Sequence, residues 1–488
     1  MTQISKWHPG RILRPIKAAR ARGTNFYMVG LIALSAVFWL LRVGYWNTHT
    51  EEPFSDLLGY VMTADNIAGK FYFGVEPARP VYYTPITPLA IAIAKLISPE
   101  NYLWWFRYLM QLLTFAGAVA LVRELALMTR SRWLGLAFLF VLAISRSSIF
   151  WSLKPATETV CEALLYLSAA LALATARKRS LGLALLCGVV CLALGLNRPN
   201  FIVGAMIVSL AFIIREDREM KRPESVGLRK RSWWKVNPAF KLDYRGLALM
   251  VVFLIGFFGS WSIWIGRNLI NYGMFIPTSS SGLITAHWDY GGGPIRIGRY
   301  TALKLADGSE YKEFGINKLI IAADSIPGEK ERVAWLGLLT KAWYAENLVD
   351  LPRVILWRLK HYITTRGASG LTKVSREEIF EAQTRGYNNS FGSAAWLNLI
   401  LLDKTPTVCL LGLLGLVIIM WTAPTASPIF LGLALMPWLS GALVLGYERT
   451  VESLIPMTIW LALFGVAKTI LRIQSLEQFA KPRSGVSK

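Results

Sequence analysis

About ten apolar stretches, most near the length of a bilayer-crossing helix, alternate along the chain with short segments carrying Lys and Arg. They run from Phe26 to Trp46, Tyr102 to Met128, Trp133 to Trp151, Glu158 to Ala176, Leu181 to Leu196, Phe201 to Ile214, Gly246 to Ile265, Thr405 to Trp421, Ile429 to Leu445 and Val451 to Leu471. Such a pattern predicts an all-α polytopic membrane protein. Hydrophobic residues make up 54% of the 488, and 19 Trp are present, which excludes a soluble globular chain. The formal charge of +23 would suggest nucleic acid in a soluble protein. Here the basic residues lie between spans, where the positive-inside rule collects them, so no nucleic acid partner is expected and the bilayer is.

Charge also orients the spans. Residues 1–25 carry Lys6, Arg11, Arg14, Lys17, Arg20 and Arg22 with no acidic residue, which predicts a cytoplasmic basic N-terminus and a first span retained as a signal anchor. The stretch Pro85 to Ile97 is about two-thirds of the length a span needs and is expected to lie along the outer surface. Arg130 and Arg132, then Arg177, Lys178 and Arg179, then fall inside, as does Arg215 to Arg245, where basic residues outnumber acidic ones ten to five. The reading divides the chain into a membrane module over 26–266, with a first outer loop at 47–101, and a small mixed outer domain over 267–397. The last membrane helices follow over 398–472, and a cytoplasmic tail over 473–488. Surface helices on the outer side are expected, Asn347 to Tyr362 among them. The four cysteines, Cys161, Cys187, Cys191 and Cys409, all lie in apolar segments and read as small packing residues.

One consequence of this orientation is chemical. Glu51, Glu52, Asp56, Glu76, Arg79, Lys154, Glu158, Arg198, Arg267, His287, Asp289, Glu448 and Arg449 all emerge on one face of the membrane. A carboxylate there can take a proton from an attacking hydroxyl, while Arg or Lys holds a leaving phosphate. Each has a plainer reading as well: cations at span ends reach for headgroups, and Asp56 and Glu158 complement helix dipoles. His287 and Asp289, in the Gly-rich stretch Thr285 to Gly293, read as loop packing before they read as metal ligands. Around Asp56, Ser55 is the expected N-cap and Gly69 the expected stop, with Asp56 and Tyr60 on one helical face.

The run Ser55, Asp56, Tyr60, Ala64 and Gly69, followed by Pro80, Pro85 and Pro88, resembles the first outer loop of GT-C membrane glycosyltransferases. The nearest group is the bacterial branch related to protein O-mannosyltransferases and the lipid A aminoarabinose transferase. Trp264 to Pro277, with Thr278 to Gly282 after it, is similar to a second family stretch. So are the Arg198-Pro199 bend, the Glu448-Arg449 turn before Pro456, and Glu158 at a span's outer end. The extra pair Glu51-Glu52 departs from the pattern.

That resemblance implies a GT-C type bundle of about ten helices and an inverting transfer, by single displacement, from a polyprenyl-phosphate sugar to a lipid, glycan or protein acceptor. It places the enzyme in a bacterial inner membrane with its site facing the periplasm. Asp56 would be the catalytic base, with Glu158 orienting the acceptor or a metal. Arg198, Arg267 and Arg449 would bind phosphate, and Glu52, Tyr60, Tyr83, Lys154 and His287 would line the substrate site. Whether a divalent ion sits among Glu52, Asp56 and Glu158 stays open. Two other classes compete. A flippase or transporter of lipid-linked sugars would need polar residues near the bilayer midplane, and the spans read as nearly free of them; an assembly scaffold would not need the Asp56 helix.

Overall fold

A computed structural model describes residues 10–48, 56–75, 79–214, 244–280, 303–304, 308, 310–311, 321–346, 348–349, 351–364, 405–444 and 452–480. Glu51, Glu52, Ser55, Glu76, His287, Asp289, Glu448 and Arg449 lie outside these residues.

The described chain is helical almost throughout. In order come α1 (Gly10–Thr48), α2 (Asp56–Lys70), α3 (Ile86–Ile97), α4 (Tyr102–Thr129), α5 (Arg132–Ile144), α6 (Arg146–Ser152), α7 (Thr157–Lys178) and α8 (Leu181–Asn197). A 3-10 turn, Pro199–Phe201, leads to α9 (Ile202–Val208), α10 (Leu210–Ile213) and α11 (Tyr244–Tyr272). Beyond a two-residue antiparallel hairpin, β1 (Leu303–Lys304) with β2 (Glu310–Tyr311), lie α12 (Glu329–Glu346) and α13 (Leu351–Thr364). The chain continues through α14 (Pro406–Thr422), α15 (Ser427–Phe430), a π-helical turn at Leu431–Leu435, α16 (Met436–Val444) and α17 (Ile455–Ala480). Five helical segments, Asn25–Asn47, Tyr102–Thr129, Thr157–Lys178, Tyr244–Tyr272 and Glu452–Leu471, are long and apolar enough to cross a membrane. Shorter apolar helices fill the other expected spans. The protein is a multi-pass membrane protein.

Helix α7 is central: buried residues occur on every side of it, and α4 and α8 flank it. In lipid, helix pairs associate through close packing more than through apolar burial, which favours small residues at crossings. Accordingly α8 meets α11 where Gly188 faces the Phe253 carbonyl and Gly256 faces that of Leu185; a Cβ at either position would overlap the oxygen. All four cysteines are buried, matching their reading as packing residues.

Three expected spans are broken. The stretch from Trp133 to Trp151 divides at Ser145, whose extended backbone (φ −69°, ψ 117°) ends α5, and whose side chain accepts from Ser148 N to start α6. Phe201 to Ile214 is interrupted by a turn at Ser209, whose backbone angles stay helical (φ −59°, ψ −28°), and Ile429 to Leu445 carries the π turn. Helix α11 continues through Tyr272, well past the expected end at Ile265, so Arg267 is a helical residue. Helix α2 runs past Gly69 to Lys70, and Phe71 takes the left-handed position (φ 53°), with Tyr72 N bonding Asn66 O.

A larger correction concerns polarity. Arg42, on α1, is fully buried and donates from Nε to Gln111 Oε1 on α4 (2.8 Å) and from Nη2 to Ser148 Oγ on α6 (2.5 Å). Ser148 Oγ then donates to Glu162 Oε2 on α7 (2.8 Å), and Tyr166 donates to Glu162 Oε1 (2.8 Å). The spans are therefore not nearly free of polar groups. Arg42 and Glu162 each lie five residues from the nearer end of their span, roughly 7 Å along a helix, and Gln111 and Tyr166 nine, roughly 13 Å, so the network reaches from one end of the bundle toward its middle. Single polar residues spaced among apolar ones leave average hydropathy almost unchanged, which hid them.

Hydrogen bonds gather many helix ends at that same end. Trp46 Nε1 donates to Ser152 Oγ (3.0 Å), Arg107 Nε to Leu153 O (2.7 Å), Asn197 Nδ2 to Thr157 O (2.8 Å) and Arg267 Nη1 to Pro80 O (3.2 Å). At the opposite end of α4 and α7, Arg177 grips Glu124 with two bonds, 2.8 and 2.6 Å.

Candidate functional site

The gathered end carries two polar groupings joined by the loop at 79–85. In the first, Asp56 opens α2 and is exposed, with Tyr60 one turn below it, buried. The Tyr60 ring meets that of Tyr83 edge-on at 4.7 Å, and Tyr83 meets Tyr82 at 4.8 Å. This contact depends on Gly59, because a Cβ there would overlap the Tyr83 hydroxyl. Burial, and next the charge of Asp56, push the Tyr83 hydroxyl well above the usual tyrosine range. Asp56, Tyr60 and Tyr83 thus share one surface, as the four-residue spacing of the first two predicts.

The second grouping is buried. Glu158, 1% exposed in the first turn of α7, accepts from Arg198 Nη2 at Oε1 (2.7 Å) and from Thr157 Oγ1 at Oε2 (3.1 Å). Arg198 also donates from Nε and Nη2 to Thr157 Oγ1, 3.3 Å each. It can reach them because α8 ends at Asn197 and Arg198 is extended (φ −140°, ψ 107°) before Pro199 opens the next turn. The two groupings meet at Asn197, which accepts from Thr87 Oγ1 at Oδ1 (2.6 Å) and from Thr84 Oγ1 at its carbonyl (3.3 Å).

The remaining candidates stand around these. Lys154 is buried, its ammonium 4.2 Å from the Phe150 ring centre and 5.5 Å from that of Trp151. Trp151 Nε1 donates to Glu452, a buried carboxylate that sequence reading passed over. Arg267 bonds Pro80 O, Asn268 Oδ1 (2.8 Å) and the Tyr272 hydroxyl (3.3 Å), and lies against Phe73, Trp264 and Tyr272. Those contacts tether the loop that carries Tyr83. Thr84, Thr87 and Thr157 left no trace in the sequence as single residues. Glu162, one turn from Glu158 on an apolar helix, was the visible sign of the Arg42 network.

A divalent ion between Asp56 and Glu158 would face the Arg198 guanidinium, already 2.7 Å from Glu158. Of the described pair, Glu158 is therefore already neutralised by a cationic side chain, while Glu52, the third member of the expected set, lies outside the described residues. Among the described residues, no three His, Cys, Asp or Glu side chains come together to hold one.

No protein-family model matches the chain, and no characterised protein matches it by sequence. Among solved structures, the oligosaccharyltransferase AglB from Archaeoglobus fulgidus, determined with an inhibitory peptide and a dolichol-phosphate, is similar over 95% of this chain. The identity is 12% and the TM-score 0.44, and the match spans 53% of AglB, about half its length. ArnT from Cupriavidus metallidurans in the apo state is similar over 89% of this chain and 78% of its own, at 12% identity and a TM-score of 0.34.

Proposed function

We propose that the chain is a GT-C type inverting glycosyltransferase that moves a sugar from a polyprenyl-phosphate donor to an acceptor hydroxyl. The observation that carries this reading is the pairing, at one end of a membrane bundle, of an exposed carboxylate on an aromatic wall with a buried carboxylate and guanidinium. The acceptor oxygen attacks the anomeric carbon as the bond to the phosphate oxygen breaks; the phosphate leaves with the electron pair, and Asp56 receives the hydroxyl proton. A first-turn helical position favours the ionised carboxylate that this role needs. Tyr60 and Tyr83 form the wall of the acceptor site. Glu158 and Thr157 hold the Arg198 guanidinium for the departing phosphate, a charge-assisted arrangement suited to charge that grows in the transition state. Lys154 adds a second cation nearby.

Ten spans, a bacterial inner membrane and a periplasmic site belong to the same proposal, supported by the distribution of Lys and Arg along the sequence. A transporter of lipid-linked sugars draws on the buried Arg42 to Glu162 network. Its carboxylate and guanidinium are already joined through Ser148, with Gln111 on the guanidinium and Tyr166 on the carboxylate, which favours a structural role.

The deciding experiment measures sugar transfer from a radiolabelled polyprenyl-phosphate sugar in proteoliposomes. Wild type forms glycosylated acceptor and Asp56→Asn does not; near wild-type turnover by the variant would sink the assignment. Movement of the intact lipid-linked sugar without transfer would favour the transporter.

A further inference from the structure

Helix α12 carries none of the family resemblance, yet together with the segment after α11 it is built into the loop that carries Tyr83. Val81 is fully buried, in a small core with Met274 and Ile276, against which Val333 of α12 packs. Ser280 N donates to Val81 O (2.9 Å), and Ser280 Oγ donates to Glu329 Oε1 (2.5 Å). Glu329 is ion-paired with Arg332 one turn along α12; they are 6% and 3% exposed. The Arg332 guanidinium stands 5.7 Å from the centre of the Tyr82 ring. On the same ring Arg79 stands at 5.5 Å, itself 2.8 Å from Asp324.

A buried ion pair is weak as a source of stability, since desolvation offsets most of its attraction. An i,i+3 pair that served the helix alone would work as well on the solvent face. Here its other contacts reach the loop, and Tyr82 in turn lies against Tyr83. Resting on the transfer reading above, we propose that Glu329 and Arg332 are positioning residues: they clamp Tyr82, and through it hold the Tyr83 wall beside Asp56. This gives α12 a part in the reaction without contact with substrate.

The test uses full-length protein in proteoliposomes. Arg332→Met lowers kcat roughly tenfold to a hundredfold, as misplacement of groups near a reacting centre does, while the donor KM stays within about twofold. Arg332→Lys, which keeps a cation over Tyr82, recovers most of the loss. A donor KM that rises with kcat unchanged, or an unchanged kcat, overturns the clamp. Hydrogen exchange of the amides at 79–85 gives a readout independent of activity. Arg332→Met, and the milder Asp324→Asn on the half-exposed pair, accelerate exchange there, and protection equal to wild type overturns the proposal. If wild type transfers no sugar, the proposed function fails and the exchange experiment alone decides the clamp.

Discussion

Asp56 and Glu158 occupy equivalent helical positions, each a carboxylate in the first turn at the same end of the bundle, and their surroundings differ in almost every other respect. Asp56 is exposed beside two tyrosine rings, whereas Glu158 is 1% exposed and bonded to Arg198 and Thr157. At both positions a carboxylate complements the helix dipole. What separates them is burial and partner: a carboxylate enclosed with a guanidinium sets that guanidinium in place, and an exposed one can meet an incoming hydroxyl. Position on a helix therefore does not assign a role.

The comparison breaks most readily at Asp56. Asp56→Asn should lower kcat by about 10²- to 10⁴-fold, the range for loss of a general base, with the unfolding temperature in detergent unchanged. Glu158 should show the reverse balance. Removing one partner of a buried pair leaves the other charge uncompensated, at about 3–5 kcal/mol, so Glu158→Ala should lower the melting temperature sharply. Replacing Glu158 and Arg198 together by apolar residues should recover much of that stability while donor binding stays lost. If Asp56→Asn melts early and Glu158→Ala does not, the roles assigned to the two carboxylates are exchanged.

Gly59 sharpens the contrast, because there local helix preference and site geometry pull in opposite directions. Alanine in a helix interior is favoured over glycine by about 1 kcal/mol, so Gly59→Ala should leave α2 intact or firmer. The new Cβ overlaps the Tyr83 hydroxyl, and the ring must move from Tyr60. Turnover should fall by about tenfold while thermal stability holds. Equal activity would show that the wall needs no such closeness.

How much of this was legible in the sequence follows from the range of the interactions involved. Apolar stretches are local and long, so the helices at Tyr102–Thr129 and Thr157–Lys178 coincide with expected spans to within a residue or two. The short helix Ile86–Ile97 was likewise marked by its length. The break at Ser145 was not, because the short polar run Ser145, Arg146, Ser147 and Ser148 lies between apolar runs that together have the length of a span. In the site, Asp56 and Tyr60 were joined by helical spacing alone. Thr87 and Asn197 meet across 110 residues, and no local pattern announces such a contact. Arg267 was visible as a charge at a span's end, but its bond to Pro80 O, 187 residues away, appears only in the fold.

The smallest expected effect bears on whether the Tyr83 hydroxyl is enclosed beside Asp56. Burial first, and the charge of Asp56 second, raise the Tyr83 hydroxyl above its ordinary 10. A group whose folded-state value is raised contributes stability that is intact below the unfolded value and lost as pH rises beyond it. Alkaline destabilisation should therefore begin near pH 10, where unfolded tyrosine ionises and the buried phenol does not. Asp56→Asn removes the second cause and leaves the first, so the folded value falls but stays above the unfolded one, and the slope just above pH 10 is unchanged. Unfolding curves between pH 9 and about 11.5, compared for wild type and Tyr83→Phe, read the buried phenol directly. Tyr83→Phe should remove its one proton's worth of slope from this range. A Tyr83→Phe curve that overlays wild type would mean that the hydroxyl ionises as readily folded as unfolded, and the aromatic wall would then no longer be an enclosed wall of the Asp56 site.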